Sequence, residues 1–272
     1  MKTIIVATDF SSTALNAAKY ASDMAVALNA NILLINIYQV PVIYIDVPLP
    51  MYQTDIEQRV RKSMDELKED LLKHTQNKIA IETEIVMGVF FEELKTISDN
   101  VKPYVVVMGS QGTTAAERFF LGGHAVHTMR NLQWPIITIP PETKFSGIKK
   151  IGLASDFDKV IETTPVDAIK MFVKDFNSEL HILNTGKEKE FNPDVVFGSG
   201  MLQEMIFDFK PHYHFITKQD TIEGIMELAK ANDIDLLVIL PKEHGIMEMI
   251  THKSHTKKLV LNSYIPVMAL HN

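Results

Sequence analysis

The chain has 272 residues, of which 46% are hydrophobic and 22% are charged. These fractions are typical of a folded globular protein and exclude a disordered or collagen-like chain. The chain contains no cysteine, which excludes disulfides and thiolate chemistry, and its net charge of −7 argues against nucleic acids as partners.

Nothing in the sequence indicates a membrane-spanning or secreted protein. No apolar run reaches the roughly 18–20 residues that a membrane-spanning helix needs. The short apolar stretch at the N-terminus meets the acidic Asp9 and has no small-residue cleavage site. It is therefore typical of a buried strand and not of a signal peptide, and we expect a cytoplasmic protein.

The first half of the chain alternates short apolar runs with amphipathic segments. The apolar runs are typical of strands buried in a parallel sheet, and the amphipathic segments have helical spacing. Ser11 and Thr13 are good N-caps for the first helix, and three prolines mark a long loop after the second strand. This alternation predicts parallel βαβ units in a doubly wound α/β sheet. The expected elements are strands at 3–8, 32–38, 79–86, 104–108 and 136–139, helices at about 13–27, 54–74, 91–100 and 123–132, and a loop at 41–51.

The second half of the chain repeats the first. The stretch at 4–10 reappears at 151–157, and the stretch at 134–139 reappears at 265–270. A repeat this long predicts two tandem domains rather than a solenoid.

We place the two domains at 1–143 and 148–272, each with its own doubly wound parallel sheet. Their closing strands, at 136–139 and 266–270, are apolar and would lie at sheet edges, which invite aggregation when exposed. Pairing with each other would protect both strands. We therefore expect the two domains to pack as an intramolecular pseudo-dimer through these strands.

Four glycines follow the predicted fourth strand, at Gly109, Gly112, Gly122 and Gly123, in the spacing G-x2-G-x9-G-G. Ligands of open α/β sheets bind beyond the carboxyl ends of the strands, where these glycines fall. Glycine lets backbone N–H groups approach an anion, and a helix N-terminus favours phosphate. Taken alone, the same glycines are equally compatible with tight turns and a helix entry.

The glycine spacing, the run ATD at 7–9 and the closing run WPIITIP at 134–140 together resemble the universal stress protein family. The likeness extends over nearly the whole chain as two tandem copies. It implies a stress-response regulatory protein with a nucleotide-binding α/β fold that binds ATP, ADP or AMP, accompanied by Mg²⁺. The binding residues that it implies are Ala7, Asp9, Ile37, Met108, Gly109, Gly112, Gly122, Gly123 and His124.

The resemblance also implies roles for these residues. Asp9 would contact the adenine or ribose side, Ile37 would offer backbone groups to the adenine, and the glycines would surround the ribose and phosphates. Two alternatives stay open, because Asp9 is also a good N-cap for the helix that follows and Ile37 also suits the core of a strand. The family motif closes with Gly-Ser or Gly-Thr, whereas this chain has Gly123 followed by His124, so the phosphate-binding hydroxyl is missing.

The second copy keeps the aspartate, as Asp156, but loses the glycine loop. Pro241 stands where the first copy has Gly109, and Lys253 stands where it has Gly122. Proline has no N–H to donate, so we expect no phosphate site of the family type in this copy. Gly198 and its neighbours at 199–200 are expected to form a loop.

Histidines of the second copy suggest a weaker, metal-binding alternative. His252 and His255 are three residues apart and could share a helix face, a spacing compatible with zinc. The other interpretation is a polar helix N-terminus with a solvated basic patch, which could also attract an anion. His212 and His214 are expected at the surface, on an edge strand.

Two hypotheses for the function follow. In the first, the chain is a nucleotide-responsive regulator whose first copy binds an adenine nucleotide and whose surface is recognised by a protein partner. In the second, it is a scaffold that binds partners without nucleotide. No catalytic motif such as G-x-S-x-G or H-E-x-x-H is present, so at most a slow ATP hydrolysis is expected. The chain could also form a homodimer.

Overall fold

The structure of the chain is a computed structural model, and it describes residues 1–39, 49–110, 123–157, 160–184, 193–216, 220–241 and 253–272. Within these ranges, the side chains at 49–54, 193–195 and 253–257 are not described. The described strands are β1 Thr3–Ala7, β2 Asn31–Tyr38, β3 Ile81–Met87, β4 Val105–Gly109, β5 Ile136–Ile139, β6 Lys150–Ser155, β7 Glu179–Asn184, β8 His212–Phe215, β9 Leu236–Ile239 and β10 Val267–Ala269. The described helices are α1 Ser12–Leu28, α2 Leu49–His74, α3 Phe90–Val101, α4 Gly123–Asn131, α5 Val160–Thr163, α6 Val166–Phe176, α7 Pro193–Met205, α8 Thr221–Ala231 and α9 Lys253–Asn262, with a 3₁₀ turn at Phe207–Phe209.

All ten strands belong to one sheet, in the order β3-β2-β1-β4-β5-β10-β9-β6-β7-β8. Neighbouring strands are parallel everywhere except at the central pair β5–β10, which is antiparallel. Counted inwards from each edge, the two halves of the sheet therefore have the same strand order, and they meet at that antiparallel pair. The predicted doubly wound α/β architecture is confirmed, with the parallel sheets of the two halves joined into one.

The sheet is buried on both faces because helices cover both. Ile4 and Val6 of β1 point into one apolar cluster, while Ile5 and Ala7 point into another on the opposite face, as expected for the two-residue period of a strand. The first cluster includes Met24 of α1 and residues of α6 in the second half. The second cluster includes residues of α3, α4, α8 and α9. Both clusters run across the two halves of the sheet.

The central pair β5–β10 joins the halves as predicted. Ile137 lies opposite Met268, and both side chains are fully buried. The hydroxyl of Thr138 donates to the carbonyl of Val267 at 3.4 Å. Pairing thus satisfies backbone groups that would otherwise be exposed at two apolar edges. The division of the chain at 143 and 148 stays a prediction.

Polar contacts also cross from one half to the other beside the amino ends of β1 and β4. The carboxylate of Asp175 on α6 accepts a hydrogen bond from the Tyr104 hydroxyl at 3.0 Å and forms an ion pair with Lys2 at 2.7 Å. The Lys2 ammonium also lies 4.9 Å from the centre of the Tyr104 ring. Burial raises the pKa of Tyr104, and the charge of Asp175 raises it further.

Two predicted loops were partly or wholly wrong, because described helices occupy them. Helix α2 begins at Leu49, five residues before the predicted start, and includes Pro50, because proline is tolerated in the first turn of a helix. The rest of the predicted loop, 40–48, lies outside the described residues. Gly198 and Gly200 lie inside helix α7 and not in a loop.

Within the part of the chain that the structure describes, no helix combines the length and the apolar composition needed to cross a membrane.

Candidate functional site

The order in which the chain adds strands to the sheet reverses between β1 and β4, which lie side by side and parallel in the first half. From β1 the chain proceeds to β2 and β3 on one side, and then returns to β4 and β5 on the other. Val6 lies opposite Val107, so β1 ends at Ala7 beside Met108, one residue before the end of β4 at Gly109. Such a switch point leaves a crevice beyond the carboxyl ends of the strands, where ligands of this fold class bind.

Asp9 stands at this crevice with an exposed side chain. Its carboxylate accepts a hydrogen bond from the backbone N–H of Ser11 at 2.9 Å, which fixes the turn between β1 and α1. The N-cap of α1 is Ser11, whose hydroxyl accepts from the N–H of Ala14 at 3.0 Å. Asp9 is therefore not the N-cap that the sequence left open, although it supports the turn that leads to it.

The turn between β1 and α1 has an unusual backbone. Phe10 has φ of 62°, in the left-handed region, and its N–H donates to the Thr8 hydroxyl at 3.0 Å. The second half contains the same turn, in which Phe157 has φ of 59° and donates to Ser155. A left-handed residue that is neither glycine nor asparagine is uncommon, so its presence in both halves marks a geometry that both copies retain.

Gly109 ends β4 beside the first turn of α1. Its backbone does not adopt the left-handed conformation for which glycine is usually required. A Cβ at this position would lie 2.9 Å from the Thr13 methyl carbon and 3.1 Å from the Thr13 carbonyl carbon. Glycine is therefore needed here because helix and strand approach closely. Its expected contact with an anion stays a prediction.

The first turn of α4 opens towards solvent on the other side of the crevice. A Cβ added at Gly123 would meet nothing within 4 Å. The His124 ring packs against Phe90 of α3, with centroids 4.8 Å apart, and His127 packs against Phe91 at 4.5 Å. These histidines, both exposed, are thus partly held by aromatic contacts rather than fully solvated. Gly112 and Gly122 lie outside the described residues.

Two buried polar atoms near the crevice have no hydrogen-bond partner. The side-chain amide of Asn36 donates to the carbonyl of Thr8 at 2.8 Å, but its oxygen is unpaired. The hydroxyl of Ser110, directly after β4, is likewise buried and unpaired. Unpaired buried polar atoms are costly, so each is a candidate for a ligand or water contact. Asn36 was not among the predicted site residues, although a polar residue within an apolar strand is a signal for such a role.

Ile37, the residue after Asn36, lies opposite Val86 near the end of β2. Its half-buried side chain packs against the apolar cluster that includes Ile35 and Leu94. This position agrees with the strand-core alternative, and a contact between its backbone and an adenine stays a prediction.

In the second half, a helix packs on the turn that corresponds to the one at Phe10. Phe157 is 2% exposed, whereas its counterpart Phe10 is only partly buried. Gly198 of α7 lies so close to Phe157 that an added Cβ would overlap the Phe157 carbonyl oxygen. The helix therefore packs directly on the turn that follows β6.

The predicted metal candidates are not brought together by the described structure. His252 lies outside the described residues, and His255 lies on α9 with its side chain undescribed. Among the side chains that are described, no group of three histidine or acidic residues could hold a metal ion.

Comparison with known proteins identifies the family. The model of the universal stress protein family matches residues 1–140. A universal stress protein of Methanocaldococcus jannaschii is 26% identical over 144 residues, covering 53% of this chain and 84% of that protein. The crystal structure of a universal stress protein from Archaeoglobus fulgidus DSM 4304 has a TM-score of 0.72 at 17% identity, covering 99% of this chain and 96% of its own.

A further solved structure is a universal stress protein in complex with cAMP. It covers 50% of this chain and 94% of its own, at 24% identity and a TM-score of 0.34. That score is too low to carry its ligand over to this chain. The Archaeoglobus structure, in contrast, shows the same fold over both halves, and the family model matches more than half of the chain. The chain is a tandem member of the universal stress protein family.

Proposed function

We propose that the first half of the chain binds an adenine nucleotide, ATP, ADP or AMP, and that occupancy regulates the contacts of the protein with a partner. The proposal rests on the crevice at the switch point between β1 and β4. On one side of this crevice Asp9 presents a carboxylate, and on the other the first turn of α4 begins at Gly123.

Each side suits a different part of a nucleotide. A carboxylate accepts hydrogen bonds from ribose hydroxyls, and the free N–H groups of a helix N-terminus bind phosphate. Ala7, Met108 and Gly109 would form the floor between them, at the ends of β1 and β4. Gly112, Gly122 and His124 would complete the phosphate side, with Mg²⁺ accompanying the phosphates.

The observation that carries the proposal is the state of Asp9. Its carboxylate is exposed and oriented by the Ser11 N–H, a contact that needs only one of its two oxygens. A carboxylate held in this way is pre-organised, so a ligand hydroxyl would not need to order it on binding.

The test is calorimetry with ATP on the wild type and on Asp9→Asn. Asparagine keeps an oxygen for the Ser11 N–H and therefore keeps the turn, but it removes the charge that a ribose hydroxyl would contact. We expect the substitution to weaken ATP binding about tenfold, equivalent to about 1.4 kcal/mol, with an unchanged melting temperature.

The matched control is Asp156→Asn in the second half, which should leave ATP affinity unchanged. If the wild type binds none of ATP, ADP and AMP at millimolar concentration, or if Asp9→Asn binds ATP as well as the wild type, the proposal is wrong. The first of these outcomes would favour the scaffold hypothesis.

A further inference from the structure

Three histidines lie together on one face of the sheet at its outer edge in the second half. His181 of β7 is directly opposite His212 of the edge strand β8, and His214 follows two residues later on the same strand. Residues two apart on a strand share a face, so all three rings lie on the same side. The ring centroids of His212 and His214 are 5.0 Å and 5.1 Å from that of His181.

His181 and His214 are joined by a direct hydrogen bond between their rings. Nδ1 of His181 lies 2.9 Å from Nε2 of His214, and the two ring planes differ by only 4°. The centroid separation exceeds the nitrogen–nitrogen distance by about the width of one imidazole ring. The rings therefore lie edge to edge and in line, and do not stack face to face.

This arrangement requires that at least one of the two rings be uncharged. In a ring-to-ring bond one nitrogen donates its proton and the other must accept it with a lone pair. If the accepting ring binds a proton at that nitrogen, the lone pair is lost and two N–H groups face each other. The in-line geometry also differs from that of a metal site, where nitrogen lone pairs converge on an ion.

The surroundings of the pair oppose protonation. His181 is 5% exposed. Burial lowers the pKa of His181, and His214 lowers it further, with smaller effects from His212 and Lys150 of β6 in the same direction. Glu179 of β7, whose carboxylate is 3.6 Å from Nε2 of His181, acts in the opposite direction. Burial likewise lowers the pKa of His214, and His212 adds to this.

The same contact links the edge strand β8 to its neighbour β7. Strand β8 has four residues and a neighbour on one side only, β7. Of its side chains, His212 and Phe215 are exposed, whereas Tyr213 packs against the apolar core with its ring 6.4 Å from that of Phe157, although its buried hydroxyl has no partner. The other edge strand, β3, has seven residues and no histidine. The ring-to-ring bond thus adds a polar side-chain link to a short strand that has a neighbour on one side only.

We infer that the His181–His214 bond is a pH-sensitive latch that holds β8 against β7 while the accepting ring is neutral and releases the edge strand when that ring is protonated in acid. The sign follows from the direction of the shifts. In the released state the histidines return towards their ordinary pKa of about 6.5, while in the latched state they bind protons less readily. Stabilisation of the edge is therefore complete above about pH 6.5 and is lost as the pH falls below it, towards the lowered pKa of the latched pair.

Hydrogen exchange of the whole chain at several pH values tests the latch. After correction for the pH dependence of intrinsic exchange, the opening constant of the β8 amides should rise roughly tenfold between pH 7.5 and 5.5. The amides of β3 are the internal control, because that edge has no histidine and should not respond. The latch does not exist if β8 and β3 show the same change over this range.

A second arm removes the proton site but keeps the hydrogen bond. In His181→Asn with His214→Gln, side-chain amide nitrogen and oxygen replace Nδ1 and Nε2 at matching distances from the backbone. We expect the pH response of β8 to disappear in this double variant and to persist in His127→Gln, a substitution on α4 in the other half. A response that persists in the double variant would overturn the inference.

Discussion

Glycine is present at positions 109 and 123 of the same motif for two different physical reasons. At Gly109 a side chain would collide with Thr13 of α1, so glycine is needed to pack a helix against a strand. At Gly123 the space is open, and glycine is compatible with access to the backbone N–H groups of α4. The spacing in the sequence predicted that both residues lie near the crevice, but it could not show which glycine is required by packing and which leaves the backbone accessible.

Stability measurements on two alanine variants test this difference. Gly109→Ala would bring a Cβ to 3.1 Å from the Thr13 backbone, so we expect the free energy of unfolding to fall by about 1–3 kcal/mol. Gly123→Ala meets no atom and replaces glycine in a helix, so it should leave the stability unchanged or raise it by less than about 1 kcal/mol. Urea denaturation of both variants measures the two values. Equal losses would show that close packing at Gly109 is not the reason for its glycine.

At the scale of elements, apolar runs and N-caps predicted most of the strands and helices. Strand β1 and helix α1 follow from the apolar run after Thr3 and from the cap at Ser11, which are local signals. Helix α7 was missed because glycines at 198 and 200 disfavour helices locally, and only contact with Phe157 explains the first of them. The histidine cluster also depends on tertiary structure, because His181 and His214 meet only through the pairing of β7 with β8, and so it was not predicted.

The pairing of β5 with β10 predicts how the two halves behave when the chain between them is cut. The segment at 141–147 is mostly exposed. A cut in this segment would leave the buried pair β5–β10 and the hydrogen bond from Tyr104 to Asp175 in place, because neither contact involves the segment. A protease site inserted after Glu142 and then cleaved should give two fragments that elute together at the size of the intact 30.7 kDa chain. The uncut insertion variant is the control, and separate elution of the fragments would contradict the prediction.

At the scale of the whole molecule, the two halves have the same strand order but differ at the crevice. The first half keeps Asp9 exposed and the first turn of α4 open. In the second half, α7 packs on the turn at Phe157, and Pro241 replaces the glycine that ends β4. The sequence predicted the loss of the glycines, but covering by α7 depends on tertiary packing and could not be predicted from local pattern. Duplication followed by this divergence would leave one binding half and one half that supports it through the shared sheet.

We therefore expect one adenine nucleotide per chain, bound in the first half. A triphosphate needs closely approaching N–H donors to be held by a protein of net charge −7, and Gly109, Gly112 and Gly122 allow such an approach. In the second half Pro241 cannot donate, and the lysine at 253 brings a charge rather than a set of N–H donors; we expect such a charge to be screened at physiological salt. Calorimetry with ATP on the wild type, on Gly122→Val and on Lys253→Glu measures the stoichiometry. The stoichiometry should be near one for the wild type, and ATP binding should be lost with Gly122→Val and retained with Lys253→Glu. Binding that persists in Gly122→Val but is lost in Lys253→Glu would place the site in the second half.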